Sequence, residues 1–305
     1  MAATIDSESA ELNKALARVA GAVEEALSGI LPAVEGEGPE ATLFEAMRYV
    51  TLGGGKRLRP FLVVATAGLF EVPENIAVRV GAAVELIHSY SLVHDDLPCM
   101  DDDPVRRGKS ACHVKFGEST AVLVGDALVP LAFEVLADAK THPDAAVRGE
   151  LVGRLARAAG CGGMVGGQMI DLAAERLDPD IGTVTRLERL KTGALIEFCC
   201  EAGGILGRAD AKEMRALAGY AHDLGLAFQI ADDLLDVEGD AQRLGKAVGK
   251  DAARGKANFV TILGTDQARE QARLLAAQAA GHLEPFGASA QLLRDVTRYV
   301  VARSR

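Results

Sequence analysis

The chain has 305 residues, 49% of them apolar, with aromatics at only 4% and no tryptophan, so alanine, leucine and valine must fill its interior. That composition suits close-packed helices better than a β-sandwich, and the length allows one large core or two smaller domains. A net charge of −10 leaves no basic excess to displace counterions, which argues against a nucleic-acid partner.

Met1 to Leu16 carries Asp6, Glu8 and Glu11 and lacks an apolar run, so it reads as neither a signal nor a transit peptide. Apolar residues at helical spacing predict a helix from Ala10 to Ile30, a loop from Glu35 to Pro39 and a short helix from Glu40 to Leu52. Gly53-Gly54-Gly55 breaks that helix, and another runs from Leu58 to Phe70. Val78 to Val93 reads as a buried helix, followed by a loop through Arg107 to Gly117 and helices over Glu118–Ala139 and Ala145–Ala159. The apolar run Thr120–Ala137 is interrupted by Asp126, Pro130 and Glu134, which marks a core helix rather than a membrane span.

Cys161 to Gln168 puts four glycines among apolar residues, either for close helix contact or as a loop. Long helices are expected over Thr183–Gly204 and Ala211–Val237, then a mobile charged loop over Gly239–Gly255 and two or three shorter helices to Arg305. No alternating strand pattern, repeat or low-complexity segment appears. The expected class is all-α, as one domain spanning residues 1–305. The five cysteines form no CxxC and no zinc-like spacing; they read as reduced, buried thiols of a cytoplasmic protein.

Two acidic clusters stand out. The first, His94 to Gly108, places five carboxylates within nine positions and closes on Arg106-Arg107. Such acids at the end of a core helix need a compensating cation, and clustered carboxylate oxygens are the ligands Mg²⁺ prefers. The second is Gln229-Ile230-Ala231-Asp232-Asp233-Leu234-Leu235-Asp236. Asp232 and Asp236 are about 40° apart on one helix face, with Gln229 one turn earlier. Two such clusters facing one another would hold several metal ions around one polyphosphate.

The basic knot Gly53 to Pro60 is not a Walker loop, because no glycine stands six before Lys56 and no Ser/Thr follows it. Lys56 and Arg59 lie at a helix N-terminus, which attracts anions; the bland alternative is a solvated basic loop. His88 precedes Asp95 by seven residues, within about 20° on the same face. His94-Asp95 also spells the doublet of metal phosphohydrolases, but His88 would supply their second histidine only at awkward spacing. Lys191-Thr192-Gly193 lies inside a predicted helix, and Lys246, Lys250 and Lys256 follow the second acidic cluster. Two basic sets and two carboxylate clusters suit two phosphate-bearing substrates.

Gly55 to Pro60, Asp95-Asp96-x₄-Asp101, Arg106-Arg107-Gly108, Gly166-Gly167-Gln168-x₂-Asp171, Lys191-Thr192-Gly193, Phe228-Gln229 and Asp232-Asp233-x₂-Asp236, in this order, resemble the trans-isoprenyl diphosphate synthases from about residue 45 to residue 265. The resemblance implies the all-α isoprenoid synthase fold around a deep central cavity, in a homodimer. It implies three Mg²⁺ ions with Asp95, Asp101 and Asp232 as chief ligands. It assigns Arg106, Lys191, Gln229 and Lys246 to the allylic diphosphate, and Lys56, Arg59, His88 and Arg107 to isopentenyl diphosphate. Thr192 and Lys256 join the substrate-binding set. The implied reaction ionises an allylic diphosphate and condenses it with isopentenyl diphosphate; Lys191, Asp95, Asp101 and Asp232 carry the catalysis.

Tyr90, with Ser91 beside it, precedes the first Asp motif at the position that limits chain length in this family. A bulky aromatic there, with two extra residues inside the motif, is similar to bacterial farnesyl diphosphate synthases and implies a C15 product. Geranylgeranyl diphosphate synthases tend to carry a smaller or flexible residue. Pro104 and Asn258-Phe259 depart from the family pattern without touching a proposed ligand. A class I terpene cyclase would replace the second motif with an Asn/Ser/Glu triad, and a non-catalytic partner subunit would lack one or both Asp motifs.

Overall fold

Alanine-rich, strand-poor sequence yields helices almost throughout. The computed structural model describes residues 2–174, 180–238 and 258–302, with side chains from residue 10 onward. The helices are α1 (Ala2–Ile30), α2 (Pro39–Thr51), α3 (Leu58–Gly68), α4 (Glu74–Asp95), α5 (Cys112–Phe116), α6 (Glu118–Ala137) and α7 (Ala145–Ala159). After them come α8 (Met164–Ala174), α9 (Ile181–Glu188), α10 (Ala194–Leu206), α11 (Ala211–Glu238), α12 (Phe259–Leu263), α13 (Thr265–His282) and α14 (Gln291–Ala302). A π-helical turn, Arg189–Gly193, joins α9 to α10.

The residues group into two units, an N-terminal one of residues 14–64 and 73–152 and a C-terminal one of residues 1–13, 65–72 and 153–305. In the N-terminal unit α4 packs along α6, and α2 and α5 also lie against α6. Unbroken burial from Val80 to Ile87 makes α4 a core helix, with Glu85 the one charged residue in that run. Glu74 in its first turn suits the helix dipole. The helix stops where the aspartates begin, so core packing delivers the acidic cluster to its end.

By length and composition alone α4 and α6 could each cross a membrane. Burial explains this for α4. The expectation of a core helix holds on only one face of α6, since Val122 and Leu123 are exposed.

In the C-terminal unit α11 packs against α10, α13 and α14, and α10 is buried from Leu195 to Leu206 except at Glu197. Tyr220, with its ring fully enclosed, donates its hydroxyl to the Leu293 carbonyl at 3.0 Å. Asp180 caps α9 by accepting the Thr183 N–H, and Asn258 and Thr261 form a capping box on α12.

The absence of strands needs one correction. Val105–Arg106, at the end of the first acidic cluster, and Lys109–Ser110, in the segment expected to be loop, form an antiparallel pair. Arg107 and Gly108, both at positive φ, make its two-residue turn, the geometry whose twist matches a tight hairpin. Pro104 stands just before this hairpin, its carbonyl accepting the Ala111 N–H at 2.9 Å.

Candidate active site

In the N-terminal unit the basic knot divides its three cations between two tasks. Arg57 turns inward at positive φ and is buried. Its guanidinium donates to Glu85 on α4, to Glu24 on α1 at 2.7 Å and to the Thr51 carbonyl at 2.6 Å. Lys56, on one side, is exposed, while Arg59 is half-buried with Nη1 3.5 Å from His88 Nε2. Burial, and then the charges of Arg59, Arg107, Arg57 and Arg106, hold the His88 imidazole well below its ordinary pKa. A neutral histidine among arginines is an anion-seeking arrangement.

The first acidic cluster also divides. Asp96 is buried and accepts from Arg106 Nε at 3.0 and 3.2 Å and from Nη2, while Asp103 lies 3.5 Å from that guanidinium. Burial raises the Asp96 carboxyl above the ordinary range, with Arg106 pulling the other way. Arg106 is therefore engaged by a carboxylate as well as being a candidate for a substrate diphosphate. Asp95 and Asp101 remain half-buried. The Asp101 N–H reaches the Asp95 carbonyl at 2.8 Å, so the loop folds back and both residues start from one turn.

The hairpin carrying Arg106 and Arg107 is tied down at three points. Besides the Asp96 pair, Arg107 Nη1 donates to the Gly54 carbonyl, and Tyr49 donates its hydroxyl to the Ser110 carbonyl at 2.8 Å. Burial and the neighbouring Asp96 push the Cys112 thiol beneath it up to about 11, as suits an inert buried thiol. Tyr90 is half-buried on α4, with burial and then Asp95 raising its hydroxyl pKa. Ser91 Oγ donates to the His88 carbonyl at 2.9 Å.

The C-terminal unit holds the other set. Lys191 and Thr192 lie in the π-helical turn, a local widening found most often at functional sites. Lys191 Nζ donates to Asp171 on α8 at 2.6 Å. A Cβ at Gly167 would stand 2.3 Å from the Lys191 backbone nitrogen, so Gly167 serves the close helix approach expected of this stretch. Gln168 next to it has both amide atoms out of water and without a hydrogen-bond partner among the described residues, a state that typically costs about 1–3 kcal/mol until something completes it.

The second acidic cluster repeats the division seen in the first. Asp233 is buried and accepts from Gln229 Nε2 at 3.0 Å and from the Phe259 N–H at 2.9 Å, while Asp232 is half-buried. Lys246, Lys250 and Lys256, and the loop expected over Gly239–Gly255, lie outside the described residues.

Four residues escaped the sequence reading as supports: Arg57, Asp96, Asp171 and Asp233. Glu85, a lone carboxylate inside an apolar run, was the available signal that one knot cation turns inward.

Among the described residues no three acidic, histidine or cysteine side chains gather tightly enough to chelate an ion unaided. Oxygen donors offered one or two at a time suit Mg²⁺, which keeps several waters and completes its shell with phosphate oxygens. Asp95 and Asp101 on one turn, and Asp232 on α11, are donors of that kind.

A family model described as polyprenyl synthetase matches residues 40–288. The farnesyl diphosphate synthase of Escherichia coli is 45% identical over 86% of this chain and 89% of its own. Geranylgeranyl pyrophosphate synthase 9 of Arabidopsis thaliana is 44% identical over 86% of this chain and 74% of its own. The crystal structure of an FPP/GFPP synthase from Zymomonas mobilis superposes with a TM-score of 0.87 at 50% identity, covering 96% of this chain and 99% of that one. With its ordered motifs, its all-α isoprenoid synthase fold and these likenesses, the chain belongs to the polyprenyl synthetase family.

Proposed function

We propose that the protein condenses isopentenyl diphosphate with dimethylallyl and then geranyl diphosphate, head to tail, giving farnesyl diphosphate and pyrophosphate. The observation that carries this reading is His88 set among arginines, with Arg59 Nη1 3.5 Å from its Nε2, in the same unit as Asp95 and Asp101. Lys56, Arg59, His88 and Arg107 bind the isopentenyl diphosphate. Arg106, Lys191, Gln229 and Lys246 bind the allylic one, and Thr192 and Lys256 complete the substrate-binding set. Asp95, Asp101 and Asp232 hold Mg²⁺, three ions in all. The bound metal would supply Lewis-acid charge to the departing pyrophosphate.

The chain's own part is electrostatic. Lys191 leaves Asp171 for the diphosphate, adding positive charge where the leaving group develops its negative charge. The allylic cation needs a pocket kept dry, and the double bond of isopentenyl diphosphate attacks it there. The departed pyrophosphate takes the final proton, so no side-chain general base is required.

Tyr90 and Ser91 set the pocket floor at a C15 product. Likeness to the Arabidopsis geranylgeranyl enzyme supports a C20 product as the second reading. A non-catalytic partner subunit is disfavoured by two intact acidic clusters. The protein works in the cytoplasm as one domain over residues 1–305 and as a homodimer, in which a second copy covers exposed Val122 and Leu123 of α6.

Incubating purified protein with Mg²⁺, isopentenyl diphosphate and each allylic primer tests the reading. Farnesyl diphosphate should dominate. Accumulation of C10 alone, or of C20 and longer, would refute the product assignment, and no condensation would refute the activity.

A further inference from the structure

His94 lies one turn beyond Tyr90 on α4, and its ring is fixed from outside that helix. Its Nε2 is 3.1 Å from the Val122 carbonyl oxygen on α6. A carbonyl only accepts, so Nε2 carries the proton and donates it. The ring reaches that carbonyl because position 125 is glycine. A Cβ there would stand 2.0 Å from His94 Nε2 and 2.5 Å from Cε1, far inside contact distance. On its other side the His94 ring meets Tyr90 edge to face, with centroids 5.6 Å apart and planes at 85°. Such pairs have a preferred geometry, so the orientation of one ring constrains the other. The position of the Tyr90 ring is thus transmitted from α6 through a histidine seated on a glycine.

We propose that His94 and Gly125 are specificity-determining residues that hold the Tyr90 ring where it ends chain growth. The proposal rests on the reading of Tyr90 as the floor of the elongation pocket. His94 acts through Tyr90 and touches no reacting atom, which makes it a positioning residue. An alanine methyl at position 125 evicts the His94 ring from α6. The Tyr90 ring, released from its support, then swings aside and the pocket deepens.

The experiment compares Tyr90→Ala, His94→Ala, Gly125→Ala and the double variant Tyr90→Ala/Gly125→Ala, reading the C20:C15 product ratio. His94→Ala and Gly125→Ala should each raise the ratio about tenfold, equivalent to about 1.4 kcal/mol. Tyr90→Ala should raise it at least as far, and adding Gly125→Ala should raise it no further, because coupled residues are not additive. Calorimetric affinities for geranyl and geranylgeranyl diphosphate read the same depth in any variant that turns over too slowly. Each variant should gain about tenfold on the longer ligand relative to the shorter.

An unchanged ratio in Tyr90→Ala overturns the floor reading and this inference with it. Longer products from Tyr90→Ala alone, with His94→Ala and Gly125→Ala like wild type in both readouts, overturn only the role of His94 and Gly125. A Gly125→Ala effect that persists in full on the Tyr90→Ala background does the same.

Discussion

His88 shows how position, rather than residue type, sets charge. Its folded pKa lies well below 6.5 because burial and four guanidinium groups oppose protonation. The unfolded chain binds a proton near the ordinary value and the folded chain does not. Stability from this site is therefore complete above about pH 6.5 and falls as pH drops towards the folded pKa. An NMR titration should find the His88 imidazole neutral at pH 6; titration at the ordinary value would contradict the electrostatic picture.

The buried ion pair behind it makes a second residue-scale prediction. Glu85→Ala leaves Arg57 charged and enclosed, with Glu24 and Thr51 as its remaining partners, and should destabilise the fold by about 3–5 kcal/mol in urea unfolding. A change within about 0.5 kcal/mol would show that Arg57 does not depend on Glu85. Residue types and spacing made the candidate cations legible in the sequence. Which of Lys56, Arg57 and Arg59 turns inward was not, because that depends on a carboxylate 28 positions away.

At the scale of elements, each acidic doublet is a half-buried aspartate followed by a buried one that braces a neighbouring element. Asp96 holds the arginine hairpin, and Asp233 holds the start of α12. Asp233→Ala should cost about 1.5–3 kcal/mol of thermal or chemical stability, the scale of hydrogen bonds to a charged group. Asp232→Asn should leave the melting temperature near wild type while removing turnover. If both variants affected stability equally, the division of labour would be refuted.

Helix boundaries were largely readable from 3.6-residue periodicity, as in Ala145–Ala159, which matched residue for residue. The hairpin was not, since two-residue strands are too short to show alternation. The π-helical turn around Lys191 was hidden as well. It widens a helix by one hydrogen-bond register without interrupting the apolar pattern, and Gly167, which makes room for it, lies on another helix.

For the whole molecule, apolar side chains on the outer face of α6 point to association. Val122 and Leu123 are exposed along a helix whose opposite side is core. Sedimentation should find wild type as a dimer and Leu123→Glu as a folded monomer. A monomeric wild type at micromolar concentration would place that apolar face in some other role. Part of the charge of −10 sits in the two acidic clusters that the proposed function assigns to Mg²⁺.

The central claim, that the first aspartate of each cluster captures Mg²⁺ so that an allylic diphosphate ionises, is tested most directly by pyrophosphate release. The measurement is the initial rate from geranyl and isopentenyl diphosphates, in wild type, Asp95→Asn and Asp232→Asn, before chelation, after it and after Mg²⁺ is restored. Wild-type release should stop with chelator and return with Mg²⁺, and each variant should be slower by at least about a hundredfold at saturating metal, the scale of losing one electrostatic stabiliser. Release that survives chelation, or either variant running at the wild-type rate, would contradict the account.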